Sequence, residues 1–264
     1  MSKVRDYVSF SELKMWHECS WRHNLKYVED IDLDEESVHT SFGTALHHFA
    51  ENHVKGIDAT ESAIDMLKAS WKENEFEDEG EWITFARGIM ADLPSFLDTE
   101  FPGWTLVDAE LELNEEIPGS TRKFKGYIDL VISKKNKKGK DELIVIDWKT
   151  TKSSGWHYMK KRDPLVLMQL VLYKHFLSEK MSIPIKSVKC GFVILKRGAP
   201  VGKSCEYLNV SAGPVTIDRV KKKITQLVKN VENERKIKNR LSCKYCRFKN
   251  TEHCKGFVPP FTGY

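Results

Sequence analysis

Two side chains at the end of an apolar run carry the first sign of chemistry. In Leu143-Ile-Val-Ile-Asp147-Trp-Lys149 the aspartate and the lysine stand two residues apart, and on a β-strand that spacing sends both side chains to one face. A further aspartate occurs in Gly126-Tyr-Ile-Asp129, and antiparallel pairing of the two segments would bring it beside Asp147. Carboxylates gathered at the edge of a core repel one another unless a cation lies between them, and hard oxygen ligands suit magnesium or manganese. For either aspartate alone, a solvated or salt-bridged strand end is the simpler reading. The convergence of two carboxylates and an ammonium favours an ion.

A second constellation, Cys243-x2-Cys246-x7-Cys254, lies in the C-terminal tail. Two thiolates separated by two residues can grip one metal centre without closing a long loop. Six cysteines in a chain of 264 residues with no secretory signal are read for metal or redox chemistry rather than for disulfides. Spacing alone leaves zinc, completed by His253 or Cys19, and an iron-sulfur centre both open. Cys190 and Cys205 fall in expected strands, where small buried apolar residues are the default.

The elements that must position these groups follow from pattern. Ser9-Phe-Ser-Glu12 has the form of a capping box and predicts a helix to about Tyr27. Helices are also expected over Phe42–Val54, Thr60–Phe76 and Trp82–Leu97, so residues 1–100 are mainly helical. Val107, Ala109, Leu111 and Leu113 alternate with acidic residues, which predicts a half-buried strand. Lys125–Ser133 and Glu142–Thr150 follow as strands of an antiparallel meander, joined by the basic turn Lys134–Gly139. The run from Leu143 to Trp148 is apolar on both faces, as in a central strand that helices cover on both sides. Asp163-Pro164 opens a helix to about Glu179. Strands are expected at Val188–Leu195 and Glu206–Val210, and a last helix from Val215 to about Lys238, before a tail ending in Pro259-Pro260. The expected class is α/β, with a central mixed β-sheet flanked by helices. It forms one domain: a helical part over 1–100 carrying Cys19 and His47, a sheet core over 101–215, and a basic helix and cysteine tail over 216–264.

Composition sets the outer bounds. A hydrophobic fraction of 41% and a charged fraction of 30% exclude a wholly disordered, collagenous or membrane-embedded chain. The apolar stretch Leu165–Tyr173 is broken by Gln169 and falls far short of the roughly 20 residues of a membrane span. The charged N-terminus holds no apolar signal core, so the cytoplasm, or a host's cytoplasm for a viral chain, is the expected location, with no membrane partner. The net charge of +4 averages over segregated blocks: acidic at Glu29–Glu36 and Glu73–Glu81, basic at Lys134–Lys140, Lys160–Arg162 and Arg219–Lys249.

Gly126-Tyr-Ile-Asp129 followed by Ile146-Asp-Trp-Lys149 resembles the core of the PD-(D/E)XK nucleases, in their RecB-like branch. Gly43-Thr-Ala-Leu-His47 resembles the branch's G-x-x-x-H motif, and Gln169-Leu-Val-Leu-Tyr173 its Q-x-x-x-Y motif. The resemblance implies a restriction-endonuclease-like core in which His47, Asp129 and Asp147 bind Mg2+ or Mn2+, with the Trp148 carbonyl as a further ligand. It implies that Asp129, Asp147 and Lys149 are catalytic, Lys149 holding the attacking water or stabilising phosphorane-like charge. Gln169 and Tyr173, on one helix face at i and i+4, would approach the metal site and the DNA phosphate; without the resemblance they are a core-edge amide and a packed aromatic. His48 competes with His47 for the histidine role, and the glycine four residues earlier favours His47. Glu51 and Glu110 are explained as well by helix solvation and strand alternation, and the assignment leaves both out.

The segment from Ser11 to Cys19-Ser-Trp-Arg resembles the N-terminal motif of iron-sulfur nucleases, a group that includes the CRISPR-associated RecB-like exonucleases and AddB-type domains. There a distant N-terminal cysteine joins three near the C-terminus, which implies that Cys19, Cys243, Cys246 and Cys254 hold a [4Fe-4S] cluster. The implied activity is a metal-dependent DNA exonuclease acting on single strands or DNA ends, 5′ to 3′, in recombination, repair or replication. Rivals are a structure-specific or single-strand endonuclease and a non-cutting DNA-binding accessory protein stapled by zinc. Basic residues of the C-terminal third would contact phosphates, and Trp148, Trp156, Tyr158 and Phe248 would either stack on bases or pack in the core. No P-loop is present, so unwinding falls to a separate helicase or recombination partner.

Overall fold

The computed structural model describes residues 5–255; the readings of the N-terminal Met1–Val4 and of the Pro259-Pro260 end lie outside them. In chain order the elements are β1 (Tyr7–Val8), α1 (Phe10–Glu18), α2 (Ser20–His23), α3 (Val38–Val54), α4 (Thr60–Asn74), α5 (Glu79–Glu100), β2 (Thr105–Glu116), β3 (Lys123–Lys135), β4 (Asp141–Lys152), α6 (Tyr158–Lys161), α7 (Pro164–Lys180), β5 (Val188–Arg197), β6 (Cys205–Asn209) and α8 (Pro214–Glu232). They form an α/β fold with a mixed sheet flanked by helices. Two compact units are present among the described residues: Glu36–Leu113 with Tyr127–Pro214, and residues 5–35 with Asn114–Gly126 and residues 215–255. Among the described residues no helix is long and apolar enough to cross a membrane.

In the larger unit the strands run in the order β3-β4-β5-β6, with β2 paired to β3. β3 and β4 are antiparallel across the basic turn, in a register that sets Leu130 opposite Ile146 and Ile132 opposite Ile144. β5 then lies parallel to β4, with Asp147 beside Phe192 and Trp148 beside Val193, after the crossover through α7 that a parallel pair requires. Ile144–Trp148 are buried without interruption because both faces are covered, by α3 and α7 on β4 and by α5 and α7 on β5. One face carries Ile144, Ile146 and Trp148 into a core with Phe42, Leu46, Leu67 and Leu93 from α3, α4 and α5. The other carries Asp147 and Lys149. The expected α7 is capped as its sequence predicts, with the Asp163 carboxylate accepting from the Leu165 amide at 2.8 Å.

Gly191 on β5 leaves room for a neighbouring ring: a Cβ built there would stand 2.3 Å from Tyr207. Tyr207, paired with Val193 on the edge strand β6, lies across this notch and packs edge-on against Phe101, ring centres 5.0 Å apart.

In the smaller unit β1 pairs in parallel with the first residues of β3, Tyr7 opposite Lys123. Ser9 caps α1, accepting from the Glu12 amide at 3.1 Å, but Glu12 does not close the expected capping box. Its carboxylate is buried and accepts from Arg122 Nη2 at 2.8 and 3.0 Å, with His23 Nε2 3.0 Å away; a buried cation outcompetes a neutral amide.

The first helix also stops short of Tyr27. Cys19 is extended (φ −162°, ψ 107°), and the freed Glu18 carbonyl accepts from Asn239 Nδ2 at 2.8 Å and Ser242 Oγ at 2.7 Å. The same contacts explain why α8 ends at Glu232 rather than near Lys238: Ile237 exchanges bonds with Ser20, donating its amide to Ser20 Oγ at 2.8 Å. Residues 237–242 are used as caps, a role a continuing helix would forbid. Of the aromatic residues considered for stacking, Trp148, Trp156 and Phe248 are buried and only Tyr158 is exposed.

Candidate functional site

The β3/β4 ladder ends at the Leu130–Ile146 pair, and Asp129 and Asp147 are the next residues on either strand, close enough for each charge to act on the other. The two carboxylates therefore leave the same face of adjacent strands, and both are buried. Lys149, two residues on, places its ammonium 2.6 Å from Asp147 Oδ2. Asp129 Oδ2 accepts from the Trp148 amide at 2.7 Å, which fixes that carboxylate against the end of β4.

Burial and the facing Asp147 push the Asp129 carboxyl well above the usual carboxylate range, although Lys149 and the Trp148 amide oppose the shift. Lys149 is itself desolvated, which alone would lower its pKa, but Asp147 and then Asp129 overcome this and hold it above the ordinary lysine value. The lysine is thus a fixed cation, while Asp129 holds a proton more readily than an ordinary carboxylate.

α3 supplies the next group. Gly43 and His47 are one turn apart on it; a Cβ on Gly43 would lie 3.7 Å from Thr150 Oγ1, so this helix face runs close to the end of β4. His47 Nε2 lies 3.2 Å from the Trp148 carbonyl and Nδ1 3.6 Å from Asp129 Oδ2. Burial lowers its pKa, with Asp147 and the Trp148 carbonyl opposing and Lys149 adding to the effect, so the ring is kept neutral, the form that ligates metal. His48 instead bonds Ser62 Oγ at 2.9 Å.

Glu110 joins this group although the sequence reading left it out. Ligand atoms of His47, Glu110 and Asp129 all lie within 4.8 Å of one another. Two carboxylates and an imidazole at that spacing fit a hard divalent ion such as Mn2+ or Mg2+. Asp147 stands next to this trio, engaged with Lys149. In mid-β2 the Glu110 backbone takes φ +60°, a left-handed conformation that costs a non-glycine residue about 1–3 kcal/mol and concentrates at functional sites. Burial raises its pKa, followed by the charge of Glu51, with Asp147 a smaller cause. Nothing in the sequence marks it, since Asp108 and Glu112 alternate in the same way and no glycine or asparagine announces the turn. Glu51 pairs with Lys55 at 2.6 Å.

On α7, Gln169 Nε2 donates to the Tyr173 hydroxyl at 3.2 Å. Tyr173 is buried, and burial followed by the charge of Asp147 raises its pKa, which places its phenol within the field of the carboxylates.

The cysteines of the tail and Cys19 all belong to the smaller unit and line one pocket with Trp21 and Phe248. The Cys243 thiol is raised by burial and then by Cys246, Cys254 and Cys19 in turn, so the four sulfurs lie within electrostatic reach. Asn239 donates its amide to Cys19 Sγ at 3.4 Å, the kind of bond that steadies a thiolate ligand. Among the described residues no three of these sulfurs share the 4.8 Å mutual spacing found at His47, Glu110 and Asp129. His253 pairs with Glu252 at 3.5 Å. Cys190 is buried and donates to the Val210 carbonyl at 3.4 Å.

The sequence model of the PD-(D/E)XK nuclease superfamily matches residues 7–251, and the chain belongs to that superfamily. A crystal structure from Eubacterium rectale, provisionally named an exonuclease, superposes with a TM-score of 0.61 at 13% identity, covering 97% of this chain and 91% of its own; at that identity the likeness shows the fold. A structure designated SSO0001 aligns at 18% identity over 90% of this chain and 93% of that one, with a TM-score of 0.34, too low to carry an argument. No curated protein matches the sequence.

Proposed function

We propose that the protein is a Mg2+- or Mn2+-dependent DNA exonuclease of the RecB-like branch. It hydrolyses phosphodiester bonds of single strands or DNA ends, 5′ to 3′, in recombination, repair or replication. The observation that carries this reading is the convergence of Asp129 and Asp147 at the end of the β3/β4 ladder, with Lys149 2.6 Å from the second carboxylate and His47 and Glu110 closing on the first. A bound divalent ion lowers the pKa of water and polarises a phosphoryl oxygen. His47, Asp129 and Glu110 hold it, with Asp147 alongside. Lys149, kept protonated by its carboxylate neighbours, presents a compact cation to the charge that develops on phosphorus. Gln169 and Tyr173 orient the phosphate from α7.

In this reading Cys19, Cys243, Cys246 and Cys254 hold a [4Fe-4S] cluster rather than zinc. The preference rests on the resemblance of the Cys19 segment to iron-sulfur nucleases, and the four cysteines gathered around one pocket support a shared metal centre. The cluster's role is structural, tying Cys19 to the tail.

End-labelled linear and circular single strands incubated with Mg2+ or Mn2+ test the activity. Linear DNA should shorten from its end while circles persist. Cut circles would show an endonuclease, and no cleavage of either would leave only the accessory-protein reading. Anaerobic purification should yield brown protein with iron and sulfide, whereas stoichiometric zinc in colourless protein would overturn the cluster.

A further inference from the structure

From the C-terminal end of the catalytic strand β4 through α6, the chain from Trp148 to Arg162 holds five cations and no acidic residue. It turns at Gly155 (φ +71°), whose amide closes a tight turn on the Lys152 carbonyl at 2.9 Å. Trp156 is then buried against Phe192, ring centres 5.2 Å apart. Phe192 lies beside Asp147 on β5, and the Lys149 ammonium stands 6.0 Å from the centre of the same ring. One phenyl ring thus links the reacting lysine to the root of α6, two residues before Tyr158. Tyr158 and Met159 are each 61% exposed, an unusual position for two large apolar side chains side by side.

We infer that Tyr158, supported by Met159, is a base-stacking platform that gives the site its preference for unpaired DNA, with Lys152 and Arg162 steering the adjoining phosphates. This rests on the nuclease reading and specifies its substrate. An unpaired base offers a π-face to an exposed phenol, whereas a duplex keeps its bases stacked on each other, and stacking on an aromatic side chain is worth about 1–3 kcal/mol per base. Charge selects a nucleic acid over a protein partner: the exposed residues flanking the pair are His157, Lys160 and Arg162, and the Lys160 ammonium lies 4.4 Å over the Trp156 ring, so the rim of the platform is cationic.

The test compares wild type with Tyr158→Ala, Tyr158→Phe and Tyr158→Trp on a single-stranded oligonucleotide, on the same strand with an abasic residue near its cleaved end, and on a blunt duplex. Tyr158→Ala should lower kcat/KM on the intact single strand about tenfold, mostly through KM, while Phe and Trp retain it. Wild type should lose a similar factor on one abasic oligonucleotide of a series in which the gap is moved base by base, and Tyr158→Ala should lose nothing further there. Equal loss on duplex and single strand, loss with Phe as well as Ala, or fully additive effects of the variant and every abasic position would overturn the platform. If wild type cuts no DNA, the nuclease reading fails on its own. The platform is then judged by fluorescence anisotropy with the same oligonucleotides, where unchanged affinity of Tyr158→Ala for the single strand would remove it.

Discussion

The two candidate centres are built in opposite ways. The carboxylate site takes its groups from regular structure: Asp129, Asp147 and Lys149 are fixed by the β3/β4 ladder, and His47 by a 17-residue helix. Its geometry is set by backbone hydrogen bonds and core packing whether or not an ion is bound. The cysteine centre takes Cys19 from a break between helices, Cys243 from a short 3₁₀ turn and Cys246 and Cys254 from loops. If the proposed cluster is bound there, it would add order to segments that no regular element holds. The proposal thus gives the two centres different tasks, a reactive site on a rigid sheet and a fastener in the tail.

The sharpest break of this contrast is catalytic. Asp147→Ala or Lys149→Ala should lower kcat by about 10²–10³-fold; the melting temperature should be unchanged or raised in Asp147→Ala, which removes a repelling charge from Asp129, and lowered in Lys149→Ala, which leaves the two carboxylates without their cation. A steady-state assay with parallel calorimetry reads both numbers, and undiminished turnover in either variant would dissolve the proposed site. Next comes Cys243→Ala, for which the reverse pattern is expected: a stability loss of ~3 kcal/mol or more, about 6 °C or more in Tm, along with loss of iron. Equal Tm and iron content in the variant and the parent would erase the distinction between the two centres.

A smaller effect concerns pH. The Asp129 carboxyl is raised in the metal-free native state, so the native state keeps a proton that the unfolded chain has released. Stability should fall as pH rises from about 4, the unfolded value, through the raised native one. Divalent metal should reverse the trend, and Asp129→Asn should flatten it; denaturant midpoints across pH with and without Mn2+ decide, and a metal-free midpoint that climbs through this window would contradict the assignment. Smallest of all is Glu110→Gly, expected to raise stability by ~1 kcal/mol while weakening Mn2+ binding measured by calorimetry. A destabilised variant would mean that the left-handed backbone at 110 is no burden.

Much of this was legible before any coordinates. The strand holding Asp147 follows that of Asp129 across a basic turn, so their antiparallel neighbourhood was legible; the register was not, because counting outward from Lys134–Gly139 sets Asp129 opposite Ile144, whereas the turn closes between the paired Lys135 and Asp141. The central place of β4 followed from its apolar run. What the sequence concealed depends on tertiary competition. Glu12 satisfied a local capping rule yet was taken by Arg122, Cys19 broke a helix that its neighbours favour, and Glu110 adopts a conformation that no neighbouring residue type forecasts. Trp148, Trp156 and Phe248 looked equally fit for stacking or packing, because an aromatic side chain reads the same in either role.

The notch at Gly191 has a bearing on how the sheet ends. An edge strand of five residues could slide along its neighbour or yield its place to a foreign chain, since main-chain bonds reward any partner. Here the ring of Tyr207 acts as a key: displaced by two residues, it would leave a void over Gly191 and press on filled ground elsewhere. The missing side chain on β5 thereby encodes the identity and alignment of the strand beside it.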